Sequence, residues 1–260
     1  MRLHHLDAGP LRVPGASMVC RVLVIELPDR LVLVDSGFSA ADVADPSRLG
    51  PSRWFLRPDL RIERTVRAQL AARGLDPETA GDVVLTHADV DHASGIRDFP
   101  AARIHLAAAE HRAWAARRTL LDRLRYRPHA FDGVRRLLLH EPGPGRWEGL
   151  DGVTDLGDVC PGMRLVPLPG HTDGHAGVVI DGRGGLRVIH TGDAAHSQLA
   201  LTSGRTAADV RFRQALLAHD RAALTSTRRR LERLLARRPE LRMVASHSTD
   251  DLRPGESLEA

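Results

Sequence analysis

Four ligand-type side chains fall within six positions in the run His87-Ala88-Asp89-Val90-Asp91-His92, directly after the apolar segment 82–86 (DVVLT). The same pattern recurs three times further on. Residues 164–168 lead through Pro169-Gly170 to His171, residues 186–190 lead through Thr191-Gly192 to Asp193, and residues 241–246 run straight into His247. Strands that share a sheet edge would bring these side chains to one place, since a rigid scaffold collects functional groups on its loops. Imidazole and carboxylate are natural ligands for zinc, iron or manganese. A pair of divalent ions so held would lower the pKa of a bound water toward neutrality and polarise a scissile carbonyl. The chain has 14 histidines, and one or two beside strands carry no message. Four ligand types packed behind a buried strand are a different matter. No glycine-rich phosphate loop, nucleophile elbow or Ser/His/Asp order competes with them.

The elements that must position these residues are strands and helices in mixture. Residues 18–27 (MVCRVLVIEL) and 31–34 (LVLV) flank Pro28-Asp29 and read as a hairpin. Residues 36–59 read as one long loop, of a length more often functional than idle, carrying Trp54 and Phe55. Ile62, Val66 and Leu70 form a helical stripe ending at Gly74, and Asp76-Pro77 caps a short helical turn. Residues 107–121 read as helix, the neighbourhood of Tyr126-Arg127-Pro128 as irregular, and the Gly/Pro-rich stretch 141–162 as loop. Strands follow at 164–168, 176–180 and 186–190, the last two joined through Asp181-Gly182-Arg183-Gly184-Gly185. A helix from Asp220 to Pro239 presents Leu224, Leu231, Leu234 and Leu235 on one face, and 241–246 is the final strand. This alternation indicates an α/β (α+β) chain forming one domain over residues 1–260.

With 42% hydrophobic and 27% charged residues, the composition is that of an ordinary globular protein. Neither a signal peptide nor a membrane span is evident, so the expected place is the cytoplasm and no membrane partner is expected. Two scattered cysteines, Cys20 and Cys160, are read as free thiols. The net charge of +4 does not argue for nucleic acid. All 37 basic residues are arginines, balanced by 33 acidic ones. The stretch 117–136 is read either as an attractor for an anionic substrate or as surface filler, and 228–238 as the wet face of a helix.

These residues together resemble the metallo-β-lactamase superfamily, whose mark is His-x-His-x-Asp-His followed by separate His, Asp and His ligands. Leu33-Val34-Asp35-Ser36-Gly37, Pro169-Gly170-His171-Thr172-Asp173-Gly174-His175 and Thr191-Gly192-Asp193 match further family segments in order and spacing, across nearly the whole chain. The resemblance implies a four-layer αββα sandwich with two divalent metal ions, zinc foremost, at one edge between the sheets. It places His87 and His171 on the first metal, where Asp89 can also bind, Asp91, His92 and His247 on the second, and Asp193 between them. His175 and Asp35 are expected to orient their neighbours, and His4, His5 and His190 receive no part.

One departure stands out, because the family's second histidine is Asp89 here. A third carboxylate lowers the net charge of the centre and lets iron or manganese compete with zinc. The openings His4-His5-Leu6-Asp7-Ala8-Gly9, Asp91-His92-Ala93-Ser94-Gly95 and Gly192-Asp193-Ala194-Ala195 are most similar to the lactonase-like branch, which includes N-acyl-homoserine-lactone hydrolases. Where many of those relatives carry a tyrosine after the bridging aspartate, this chain has His196, and its one tyrosine is Tyr126. Asp91 and His196 are therefore the expected catalytic residues, His196 as hydrogen-bond donor to an oxyanion or leaving alkoxide. The expected activity is hydrolysis of an ester-like bond in a small molecule, a lactone first. The alternatives are a thioesterase of the glyoxalase II kind, a phosphodiesterase or nuclease, and a metal-binding module without turnover. The expected assembly is a monomer or homodimer.

Overall fold

The computed structural model describes residues 1–13, 18–182, 185–203 and 216–252, with the backbone of 258–259. One sheet contains β1 (Arg2–Asp7), β2 (Arg21–Glu26), β3 (Leu31–Val34), β4 (Ala80–Val84), β5 (Arg103–Ala107) and β6 (Arg136–His140) in chain order, with β13 (Leu258–Glu259) beside β1. The first three strands run antiparallel, and β3 to β6 are mutually parallel. The other sheet has the order β12 (Arg242–Val244), β11 (Arg187–His190), β10 (Ala176–Asp181), β9 (Met163–Pro167), β8 (Leu150–Asp155) and β7 (Gly145–Trp147). Because β10 is antiparallel to both β9 and β11, and β12 is parallel to β11, strands β9, β11 and β12 all point the same way.

Period-two side-chain alternation builds the layers. In β2, Val22 and Val24 face outward with Leu33, Val83, Ile104, Val66, Leu70 and Ile96. Their neighbours Leu23 and Ile25 face inward, where they share a core with Val32, Val34, Leu165, Val178, Ile180 and Val188. On the far side, Val166, Val179, Ile189 and Met243 pack on Leu231, Leu234 and Leu235 of the long helix Arg221–Arg237. The result is helix, sheet, sheet, helix, the expected αββα sandwich. Strands buried on both faces are continuous apolar runs for this reason. Both cysteines are free and buried, and among the described residues no helix is long and apolar enough to cross a membrane.

Several local expectations change. The ligand-bearing strands do not share one sheet, since β4 belongs to the first and β9, β11 and β12 to the second. The stretch 36–59 holds two short helices, α1 (Ala40–Ala44) and α2 (Ser52–Leu56), and a 3-10 turn between them. A reciprocal capping box between Ser39 and Asp42 starts α1, and Asp45 caps the 3-10 turn by accepting from Ser47 N–H, with Pro46 as its first residue. The stripe at 62–70 is split, because Thr65 is extended and caps α3 (Val66–Ala72), leaving Ile62 exposed on a separate 3-10 turn. After the short α4 (Val90–Ala93), the helix expected over 107–121 is two, α5 (Ala108–Ala116) and α6 (Leu120–Arg125), parted where Arg117 takes a left-handed conformation. The presumed loop at 141–162 contains the β7–β8 hairpin, paired through Trp147 and Leu150. The strand β12 is not the last, because β13 follows it. Of the turn expected between β10 and β11, Arg183 and Gly184 lie outside the described residues.

The loop after β3 is clasped to the loop after β4. Ser36 N–H and Oγ both donate to the His92 carbonyl at 2.8 and 2.7 Å, and Gly95 N–H donates to the Gly37 carbonyl at 2.7 Å. Gly95 packs so closely on the Ser36 carbonyl that a β-carbon there would overlap it. Asp98 completes the clasp, its two oxygens accepting from Ala40 N–H at 3.1 and 3.0 Å. Burial lifts the Asp98 carboxyl to about 6 from the ordinary 3.8, against the pull of Ala40 N–H and with Asp42 adding repulsion. The folded chain therefore holds this proton to higher pH than the unfolded chain does. Its contribution is greatest below the unfolded value and is lost as pH rises through about 6. Urea midpoints between pH 4.5 and 7.5 should fall more steeply in the wild type than in Asp98→Asn; parallel profiles would refute this.

Candidate metal centre

Strands β9, β11 and β12 end together beside the end of β4, and their loops bring all seven expected ligands into one cluster. Three overlapping triads, His87–Asp89–His171, His87–His92–Asp193 and Asp91–His92–His247, each hold their ligand atoms within 4.8 Å of one another. Asp193 lies between the two halves. Its Oδ2 is 3.5 Å from His171 Nε2 and 3.2 Å from His247 Nε2, while Oδ1 is 3.4 Å from His92 Nε2. Asp91 Oδ2 lies 3.4 Å from His247 Nε2 and 3.6 Å from His92 Nε2. Asp89 Oδ2 lies 3.1 Å from His171 Nε2 and 3.5 Å from His87 Nε2.

The imidazoles are turned by bonds on their outer nitrogens. His92 Nδ1–H donates to Asp35 Oδ2 at 2.9 Å and His247 Nδ1–H to the Val19 carbonyl at 2.8 Å. Asp35 also accepts from the Thr86 hydroxyl, and the Thr86 oxygen accepts in turn from His87 Nδ1–H at 2.9 Å. Each of these rings therefore keeps its proton on the outer nitrogen and aims Nε2 inward, so that Nε2 is the nitrogen a cation would take in place of a proton. His87 Nε2, His92 Nε2 and Asp193 Oδ1 are buried without a hydrogen-bond partner among the described residues. Orphaned buried acceptors are costly and call for an explanation. A divalent cation in their midst fits the donor set.

Charge points the same way. Burial would lower the imidazole of His247, but Asp193 and Asp91 override it and hold the group up at about 9. Burial would raise the carboxyl of Asp193, and His247, His92 and His171 instead hold it well below the usual range. The cluster is a concentration of negative charge that recruits protons where no stronger cation is present.

His175 and Asp35 have the orienting contacts expected of them. His175 Nδ1–H donates to the Leu168 carbonyl, and its Nε2 accepts from Asp193 N–H at 3.0 Å, fixing the backbone of the central aspartate. Asp35 is buried in a left-handed conformation, φ 62°, unusual for a side-chain-bearing residue. His196 follows Asp193 on the same loop, half-buried, with Nδ1 lacking a partner among the described residues. Burial and the neighbouring His247 keep its imidazole below the ordinary range, so it is neutral near pH 7. His4 and His5 lie on β1, facing Glu26 and Arg21. His190 is buried and accepts from Gly192 N–H.

Two residues essential to this geometry carry no mark in the sequence. Glu110, fully buried on α5, accepts Ala88 N–H at 2.9 Å and the Tyr126 hydroxyl at 3.0 Å on Oε1. Its Oε2 accepts the Thr172 hydroxyl at 2.6 Å and Gly174 N–H at 3.2 Å. One carboxylate thus ties the loop of His87 to the loop of His171. Gly174 lies against the Glu110 backbone where no β-carbon fits. The Tyr126 hydroxyl is engaged in this network. The second unmarked residue is Arg125, whose Nη1 donates to Asp89 at 3.0 and 3.3 Å. The arginine stretch 117–136 is therefore not uniform surface, because Arg125 is only 7% exposed. Likewise Arg228, on the expected wet helix face, reaches inward to the Ala194 carbonyl at 3.0 Å.

Residues 18–247 match the model of the metallo-beta-lactamase superfamily. The chain is 37% identical over 252 residues to probable metallo-hydrolases of Mycobacterium tuberculosis and Mycobacterium bovis, covering 96% of its own length and 81% of theirs. Among solved structures, it is similar to an N-acyl homoserine lactone hydrolase with N-hexanoyl-L-homoserine bound at its catalytic metal centre. The TM-score is 0.72 at 17% identity, over 96% of this chain and 94% of that one. A probable metal-dependent hydrolase from Staphylococcus aureus gives 0.70 at 17%, covering 94% and 88%. At such identity these likenesses speak for the fold.

Glu110→Ala removes four buried hydrogen bonds at once and leaves the two loops untied. The expected cost is about 2–4 kcal/mol in urea denaturation. A loss below about 0.5 kcal/mol, the range of an ordinary surface substitution, would show that the loops hold themselves.

Proposed function

The chain belongs to the metallo-beta-lactamase superfamily and is a metallo-hydrolase; from that premise we propose that it hydrolyses an ester-like bond in a small molecule, a lactone foremost. The observation that carries the reading is the position of Asp193, with one carboxylate shared among His92, His171 and His247. A carboxylate so placed would serve both sets of ligands. His87, Asp89 and His171 would hold one divalent ion, and Asp91, His92 and His247 the other. Bound there, such ions supply the positive charge that acidifies water and polarises a carbonyl.

The protein's own groups do the rest. Asp91, buried between His92 and His247, is the group we assign to take the proton of the attacking water. The new bond joins water oxygen to the carbonyl carbon, the ring C–O bond breaks, and the departing alkoxide takes up the proton that Asp91 received. His196, on the loop of Asp193 with a buried Nδ1 that has no partner among the described residues, is assigned to hydrogen-bond that oxygen.

A lactone bearing an aliphatic chain suits the surroundings. Trp54 and Phe55 on α2 are 69% and 60% exposed, and Leu120 and Leu124 are exposed on α6. The two helices adjoin through Ser52 Oγ, which donates to the Leu124 carbonyl at 2.5 Å. Since α6 ends at Arg125 beside Asp89, we read these exposed side chains as an apolar approach to the cluster. Lactone hydrolases are among the proteins of similar fold, which supports the same choice.

The test is a panel of lactones, esters, thioesters and phosphodiesters offered to protein of defined metal content. Lactones should be turned over best, activity should vanish on chelation and return with zinc, and Asp193→Ala should lower kcat/KM by roughly 10³-fold or more. His196→Ala should lower kcat by about 10²-fold with little change in KM. Preference for a thioester or phosphodiester would overturn the substrate, and unchanged turnover in His196→Ala would remove that residue from the chemistry.

A further inference from the structure

The family pattern places a neutral histidine where this chain has Asp89, and a buried arginine stands against that carboxylate. Arg125 is the last residue of α6 (Leu120–Arg125), a helix started by a reciprocal capping box between Thr119 and Asp122. The next residue, Tyr126, is anchored by its hydroxyl to Glu110. Between these fixed points the guanidinium has little freedom, and its Nη2 is further held by the Leu217 carbonyl. Nη1 spans both oxygens of Asp89, 3.0 Å from Oδ2 and 3.3 Å from Oδ1. Oδ2 also faces His171 Nε2 at 3.1 Å and His87 Nε2 at 3.5 Å, whereas Oδ1 has only the arginine in this set of contacts.

We propose that Arg125 is a built-in counter-ion for Asp89, so that the pair offers the first metal position the net charge of a histidine and limits its affinity for divalent cations. This rests on the reading of His87, Asp89 and His171 as metal ligands. The physical argument is simple. A carboxylate added to a dinuclear centre strengthens cation binding and weakens the centre's power to acidify water. An arginine in contact with that carboxylate cancels its charge, because guanidinium does not deprotonate and repels a nearby dication in a poorly screened interior. It also engages Oδ1, leaving Oδ2 as the single oxygen turned toward the imidazoles. Arg125 is therefore a positioning residue that sets metal affinity without touching metal or substrate.

The experiment is a zinc titration of the metal-stripped full-length protein against a chromophoric chelator, which reads affinity and not activity. In Arg125→Met the weaker of two zinc ions should bind more than about tenfold tighter, since the repulsion is gone. Arg125→Lys keeps the charge and should stay within about threefold of wild type. Asp89→His should bind that zinc at least about tenfold more weakly, because the arginine is left facing a dication alone. The double variant Asp89→His/Arg125→Met should return to within about threefold of wild type. A purely supporting role for Arg125 gives the opposite pattern: Arg125→Met loosens zinc and Asp89→His leaves it unchanged. Either result overturns the proposal. Circular dichroism checks folding, and if Arg125→Met does not fold, the lysine and histidine variants still decide. Wild-type protein that takes up no zinc would overturn the ligand reading as well, whereas two ions bound with the opposite pattern would overturn the counter-ion alone.

Discussion

The constraint on which this molecule turns is the charge of a buried cluster. Asp35, Asp89, Asp91 and Asp193 gather at the seam of two sheets, where unbalanced carboxylates would be prohibitively costly. Each finds a positive or hydrogen-bonding neighbour. Asp35 has His92 and Thr86, Asp89 has Arg125, and Asp91 and Asp193 share His92 and His247. The compensation is incomplete at the centre, where Asp193 Oδ1 and two imidazole nitrogens lack hydrogen-bond partners among the described residues. A polypeptide that leaves such atoms unpaired in its interior is arranged for a cation that the chain itself does not supply.

The rest of the sandwich holds those groups still. Strands β9, β11 and β12 are parallel, so their trailing loops emerge at one end, and β4 brings the fourth loop from the opposite sheet. The sheets meet through the inner core of Leu23, Val34, Val84, Val178 and Val188. Across the top, Glu110 joins the first ligand loop to the second, and the Ser36–His92 contacts join β3's loop to the first again. Backbone strain at Asp35 is retained because its side chain serves three donors from that one position.

Legibility in the sequence followed chemical rarity. A run such as His87-Ala88-Asp89-Val90-Asp91-His92 after an apolar strand has few structural uses, and His171, Asp193 and His247 each follow a strand in the same way. The long helix 221–237 was equally plain, since its leucines recur on one face below an Asp220 cap. Strands β1, β5, β6, β7 and β8 were not plain. β1 reads RLHHLD because its histidines face Glu26 and Arg21, and β6 is an edge strand with Leu138 and Leu139 exposed, so neither shows clean alternation. The hairpin β7–β8 is hidden by glycines, of which Gly143 and Gly145 pass so close to the Val153 carbonyl that side chains would not fit.

By itself, then, the amino-acid order determined the kinds of group available and the strands that precede them, because hydrophobic period and ligand type are local properties. It could not say that β4 lies in a different sheet from β9, β11 and β12, since pairing depends on contacts between distant segments. Nor could it distinguish Arg125 from its neighbours Arg123 and Arg127, or Glu110 from any acidic residue on a helix. Those distinctions arise from burial, which is decided only when the two layers close and a charged side chain has no neighbour to meet except the one opposite it.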